Sequence, residues 1–162
     1  MKNVIIMLVL SLLAGCSYSV YSSGMPHLKT ISVKSFQNSS TEYDLEEEIY
    51  IKLSDKFSND GRLSIVTMSP DCILEGEIMD YSNEVQNYGG STIDAYKVQI
   101  LFNITFTDLV KNKIIWQNSS LLLSEVYSAS DTNITYKTEE AAQQKIFDDL
   151  FDTIIKNSLE EW

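Results

Sequence analysis

Positive charge is scarce in this chain. Its 162 residues hold 12 Lys and Arg against 23 Asp and Glu, a formal net charge of −11, and the sequence contains one arginine (Arg62) and one histidine (His27). That balance excludes nucleic acid as a partner, because phosphate binding requires a basic face. It equally excludes a broad electrostatic grip on anionic lipid. Cysteine is just as sparse, with only Cys16 and Cys72, so once Cys16 is otherwise engaged no intrachain disulfide is available and the fold must stand on its core. Chemistry-bearing patterns are missing too. There is no Gly-rich phosphate loop, no nucleophile elbow and no pair of His or Cys at metal-ligand spacing. The expectation is a protein that is not an enzyme and holds no cofactor or metal.

What is present begins at the N-terminus. Lys2 supplies a positive start, Val4 to Leu13 is an apolar run, and Leu13-Ala14-Gly15-Cys16 closes it. The run has the length of a signal-peptide core and is too short to cross a bilayer as a mature helix. The ending resembles a bacterial lipobox at all four positions. That resemblance implies a diacylglyceryl group on the Cys16 thiol, cleavage between Gly15 and Cys16, and acylation (palmitate or similar) of the new amine. Two or more chains anchor stably where one holds marginally. Ser17, in place of a retaining Asp, favours the outer membrane. Removing residues 1–15 leaves 162 − 15 = 147 residues of formal charge 11 − 23 = −12, the size of a single domain.

Residues 16–28 are polar, Gly- and Pro-containing and aperiodic, and suit a tether; His27 falls here with no partner pattern. Lys29 to Phe36 alternates and predicts a strand. Gln37 to Thr41 is turn-like. Thr41 or Ser40 then caps a helix with Glu42 and Asp44 in its first turn, the stripe Leu45, Ile49, Leu53, Phe57, and Gly61 as its stop. A short strand at Arg62 to Thr67, the Ser69-Pro70-Asp71 turn and a strand from Cys72 to about Asn83 follow, with Cys72, Leu74, Gly76 and Ile78 on one face. Asn87 to Ser91 is a flexible connection. The clearest alternation sets Tyr96, Val98, Ile100, Phe102, Ile104 and Phe106 against Lys97, Gln99, Asn103, Thr105 and Thr107. After a turn at Asp108 to Lys113, Ile114 to about Tyr127 returns as its hairpin partner. Ser128 to Thr135 is a loop. Thr138 caps a last helix with Ile146, Leu150 and Ile154 on one stripe and Phe147, Phe151 and Ile155 beside it. The fold class is α+β: an antiparallel or mixed sheet of about four to five strands, with two helices packed on one face.

Several residues invite a chemical role. Glu46, Glu47 and Glu48 are consecutive on a helix and so point to different faces, as a solvated surface does. Glu75 and Glu77 share a strand face and make a candidate paired-carboxylate site, against the plainer expectation of a polar outer face. Asn-x-Ser/Thr occurs at Asn38, Asn103, Asn118 and Asn133, which carries no weight in a bacterial lipoprotein.

Three stretches carry a wider resemblance: Cys16-Ser17-Tyr18; Leu28-Lys29-Thr30-Ile31-Ser32-Val33-Lys34-Ser35-Phe36-Gln37-Asn38; and Leu45-Glu46-Glu47-Glu48 leading to Asp60-Gly61-Arg62-Leu63. With Asp71 to Ile78, Tyr81, Phe106-Thr107-Asp108 and the terminal Trp162, they resemble the LptE family of lipopolysaccharide-assembly lipoproteins from Cys16 to Trp162. The resemblance implies an outer-membrane address, a place in the lumen of an LptD-like β-barrel as plug and assembly partner, and direct contact with lipopolysaccharide. For that contact the candidate cations are Arg62, Lys97, Lys111 and Lys113. The uncharged polar face with Gln99, Asn103 and Thr105 suits a polar barrel lumen. Ile31 to Asn38 with Gly61 to Val66 also resembles lipoproteins of the curli-secretion and penicillin-binding-protein-activator type, which build secretion rings or switch on a wall synthase.

Overall fold

The computed structural model describes residues 25–89 and 92–160, with side chains outside 87–94. The signal segment, Cys16 and Trp162 lie outside the described residues. In chain order the elements are β1 (Thr30–Val33), β2 (Gln37–Asn38), α1 (Leu45–Asp60), β3 (Ser64–Ile65), β4 (Cys72–Gly89), β5 (Thr92–Asp108), β6 (Lys113–Tyr127) and α2 (Glu139–Ile155), which runs on into a π-helical turn at Lys156–Glu160. The sheet order is β3-β1-β4-β5-β6, with β2 also paired to β4. β4, β5 and β6 form an antiparallel meander, whereas β1 runs parallel to both β3 and β4. The fold is therefore α+β on a mixed sheet.

Both helices form for the reason their spacing gives. Leu45, Ile49, Leu53 and Phe57 of α1 are at most 1% exposed, and Ile146, Phe147, Leu150 and Ile154 of α2 are fully buried. They pack on the inner face of the sheet, where Cys72, Leu74, Ile78, Val98, Ile100, Phe102, Ile104 and Phe106 are fully buried. Burying each such aliphatic or aromatic side chain is worth about 1.5–3 kcal/mol before chain entropy is counted. Phe57 and Phe151 join the two helices edge to face, centroids 5.0 Å apart at 78°. On the solvent side Lys52 and Lys56 of α1 reach Asp148 of α2 at 3.1 and 2.7 Å.

The start of α1 differs from the sequence expectation. Its N-cap is Asp44, in a left-handed conformation (φ 64°) with no side-chain cap bond, so Glu46, Glu47 and Glu48 occupy the first turn rather than Glu42 and Asp44. Ser40 is consumed elsewhere: Asn38 Oδ1 accepts from the Ser40 amide and hydroxyl at 3.0 and 2.7 Å, and Asn38 Nδ2 donates to the Glu42 carbonyl and Glu46. Such an Asx turn competes with helix entry. At the other end Gly61 closes the helix at φ 75°, where a side chain would be strained.

The strands differ in extent. The run expected from Lys29 to Phe36 is β1 followed by a break before β2, and the strand expected at Arg62 to Thr67 is only Ser64–Ile65. β4 continues past Asn83 to Gly89 and pairs with Thr92, so 87–89 are strand where a flexible connection was expected. Thr138 does cap α2, its hydroxyl accepting from the Ala141 amide at 3.2 Å.

Candidate functional site

A strand advances about 3.3 Å per residue and a helix about 1.5 Å. β5, at 17 residues, therefore runs about 55 Å, while α2, also 17 residues, covers about 25 Å. The meander outruns its helical cover, and its second face has no helix on it among the described residues. Register and alternation put Glu75 and Glu77 of β4, Asn103, Thr105 and Thr107 of β5, and Gln117 of β6 on that open face. Further along lie Lys97, Gln99, Leu101 and Leu122, the last 55% exposed. Along β5 the face carries no acid or base between Lys97 and Asp108, while β4 sets Glu75 and Glu77 beside that strip.

A shallow depression of about 230 Å³ on this face is lined by Gln37, Glu75, Gly76, Glu77, Asn103 and Thr105. The Ser39 hydroxyl donates to Glu77 at 2.7 Å. The depression brings Glu75 and Glu77 together as the sequence suggested, but no histidine or second nucleophile stands beside them. Its chemistry is that of a hydrogen-bonding surface. Gly76 belongs to the other side: it points inward under the Phe36 ring, where an added Cβ would stand 2.6 Å from two ring carbons.

The four cations proposed for lipopolysaccharide do not form one cluster. Arg62 pairs with Asp60 at 3.3 Å and Glu160 at 2.6 Å, beside the β3 edge. Lys97 is on β5 opposite Glu84 and Val126, eleven residues from Asp108 and so about 36 Å up the strand. Lys111 and Lys113 stand together at the β5–β6 turn.

An arrangement the sequence did not betray lies at that same end. His27 Nε2 sits 2.6 Å from Asp108 Oδ2, although 81 residues separate them, and the Asp108 side chain is 3% exposed. Burial pushes the Asp108 carboxyl up, but the His27 hydrogen bond and those from the Lys111 and Val110 amides outweigh it and hold the group below its ordinary value. Asp71 is likewise lowered, chiefly by the Lys29 amide and the Thr30 hydroxyl, and accepts from the Lys29 and Thr30 amides at 2.9 and 3.0 Å. Leu28 is buried beside them, so the segment 25–28 is docked on the sheet. Cys72 lies fully buried next door, donates to the Thr30 carbonyl, and has its thiol pushed up to about 12, mainly by burial. Midway along β4 the Tyr81 hydroxyl donates to Glu139 and ties the strand to α2; burial first, then that bond, drive the phenol up.

Among the described residues no group of three or more His, Cys, Asp or Glu is placed to hold a metal. No helix among them is long and apolar enough to cross a membrane. A family model described as "LptE: Lipopolysaccharide-assembly" matches residues 28–158. The chain belongs to the LptE family. That makes it one of the lipopolysaccharide-assembly proteins of the cell envelope, a family of lipoproteins and not of enzymes. No curated protein matches it in sequence. Three solved structures show how the LptE fold recurs at low identity. A hypothetical protein from Chlamydia trachomatis is 10% identical over 83% of this chain and 99% of its own, with a TM-score of 0.59. A Xanthomonas campestris protein is 9% identical over 78% and 81%, with a TM-score of 0.56. Uncharacterized lipoprotein B from Nitrosomonas europaea is 9% identical over 80% and 83%, with a TM-score of 0.50. At these identities the likeness is one of fold.

Proposed function

We propose that this LptE-family protein is held by lipid on Cys16 at the periplasmic face of the outer membrane, and that it plugs an LptD-like β-barrel through which lipopolysaccharide reaches the surface. The observation that carries the partner is the open face of the β4–β6 meander. Three strands at about 4.8 Å spacing and about 50 Å in length offer roughly 700 Å², close to the ~800 Å² per partner of a stable interface. Its β5 strip is polar and uncharged between Lys97 and Asp108, with Glu75 and Glu77 of β4 beside it, a hydrogen-bonding surface that suits the wet inner wall of a barrel better than lipid tails. Asn103 Oδ1 is buried there with no hydrogen-bond partner among the described residues. Such an acceptor costs about 1–3 kcal/mol until a donor reaches it, and a barrel side chain would supply one.

Direct lipopolysaccharide contact through Arg62, Lys97, Lys111 and Lys113 would have to use separate points, because the fold disperses them. The plug role needs none of them. Outer membranes solubilised from cells making the tagged full chain provide the test. Co-purification with one large β-barrel at equal stoichiometry, together with loss of surface lipopolysaccharide on depletion, supports the proposal. Recovery as a large homo-oligomer, or with a cell-wall synthase, overturns it.

A further inference from the structure

The end of the sheet where β5 turns into β6 combines features found nowhere else among the described residues. The turn residues Leu109 and Val110 are 43% and 60% exposed, Ile114 just after it is 50% exposed, and Met68 in the β3–β4 loop is 82% exposed. The two segments meet, since the Leu109 amide donates to the Asp71 carbonyl at 2.8 Å. Lys111 and Lys113 flank the apolar turn, and Lys29 is exposed beside Asp71. The acids at this end are both occupied: Asp71 by the Lys29 and Thr30 amides, Asp108 by His27 and the Lys111 amide. Both stay ionised, so Lys29, Lys111 and Lys113 against Asp71 and Asp108 leave a formal charge of 3 − 2 = +1 on this apolar tip, in a chain of net charge −11.

The N-terminal segment enters at the same tip, pinned by His27 on Asp108 and by the buried Leu28. Cys16 is 25 − 16 = 9 residues before the first described residue, so even a fully extended chain keeps Met25 within about 30 Å of a lipid on that cysteine. A lysine near an anionic surface strengthens its attachment about fivefold, and apolar side chains ringed by lysines partition into the headgroup boundary.

We propose that this tip, Leu109 and Val110 with Lys111 and Lys113, rests at the barrel's periplasmic rim in the headgroup boundary of the phospholipid leaflet that holds the Cys16 anchor, and so fixes which end of the sheet enters the lumen last. The inference depends on the lipidation of Cys16 proposed above. The occupant is phospholipid because the tether delivers the tip to that surface and the lysines complement its phosphates. The β4–β5 hairpin, at the other end of β4 and β5, is then the end farthest from that leaflet and the one that reaches deepest into the barrel lumen.

The experiment uses the full chain matured in cells, purified with its lipid and reconstituted into vesicles of phosphatidylethanolamine and phosphatidylglycerol. A polarity-sensitive fluorophore is attached at Val110→Cys or, as a distant control, at Tyr43→Cys, where the native side chain is 86% exposed. Cys72 is fully buried and does not compete for label. The Val110 probe should shift to the blue and be quenched by lipid-borne quenchers, while the Tyr43 probe stays aqueous. Lys111→Gln with Lys113→Gln should lower the embedded-to-free ratio about fivefold per charge removed. Vesicle-bound protein whose Val110 probe stays as aqueous as the Tyr43 probe overturns the tip assignment and leaves the anchor intact. So does a Val110 probe that is shielded only when barrel protein is added. Protein that does not associate with vesicles and takes label on Cys16 overturns the anchor itself.

Discussion

Replacing Gly76 by alanine probes the packing of the sheet at a single methyl group. Gly76 lies on the inner face of β4 between Leu74 and Ile78, opposite Ile104. Its new Cβ would stand 2.6 Å from Cε2 and Cζ and 2.9 Å from Cδ2 of Phe36, contacts that real structures do not tolerate. Phe36 is 3% exposed and has little room to retreat, so overpacking should cost about 1–3 kcal/mol. The reduced freedom of the unfolded alanine chain returns about 0.4–1 kcal/mol. The net destabilisation is then about 1–2 kcal/mol, or roughly 3–6 °C in Tm for a domain of this size. Phe36→Leu alone should cost about 1–2 kcal/mol by leaving a void. Combined, the two changes should relieve each other, and the double variant should be more stable than the sum of the singles predicts by at least about 0.5 kcal/mol. Urea and thermal unfolding of all four proteins give the cycle. A neutral or stabilising Gly76→Ala, or strict additivity with Phe36→Leu, would refute the close approach of ring and strand.

His27→Ala should destabilise the fold by about 1–3 kcal/mol in urea unfolding, because it removes a charge-assisted bond from a buried carboxylate. The Asp108 carboxyl is held below its ordinary value in the folded protein, so its contribution is complete above the unfolded carboxylate range and is lost as pH falls through the folded value. Asp108→Asn should therefore flatten the fall in stability below about pH 4. Cys72, fully buried with its thiol pushed up to about 12, should resist maleimide at pH 7 until the protein unfolds; rapid native labelling would contradict its placement. Cys16→Ser should move the protein from the membrane to the soluble fraction without changing its Tm, and a fully membrane-bound variant in cells lacking the barrel would count against lipid anchoring.

Much of this fold is written in short-range periodicity. The four-residue spacing of Leu45, Ile49, Leu53 and Phe57, and the alternation from Val98 to Phe106, each name an element and its buried face, because one face of a helix or strand must meet the core. What stayed illegible is non-local or irregular. The parallel pairing of β1 with β3 and β4 depends on partners 34 to 41 residues away (Thr30↔Ser64, Val33↔Leu74), and no local pattern encodes direction. In β4 the register passes from Ile78↔Phe102 to Asp80↔Leu101, leaving Met79 as a bulge. The bulge reverses the phase and turns Tyr81 toward α2, so a two-residue template loses the strand near Asn83. α1 starts later than its Ser and Thr capping pattern indicates, because Asn38, four residues upstream of Glu42, binds the groups that would otherwise cap it. His27 lies in a stretch of tether composition, and nothing local marks its partner, which is 81 residues distant. The open face is legible as polar from Gln99, Asn103 and Thr105, but polarity alone names no partner; the family match over 28–158 gives lipopolysaccharide assembly, and the barrel partner is the proposal built on it.

The most direct test of the plug role is site-specific photocrosslinking in intact cells from Gln99 and Thr105 on the open face, followed by identification of the attached protein. A single high-mass adduct containing an LptD-like outer-membrane barrel, formed from both positions, is the predicted result. An adduct with a second copy of this chain, or with a cell-wall synthase, would contradict it.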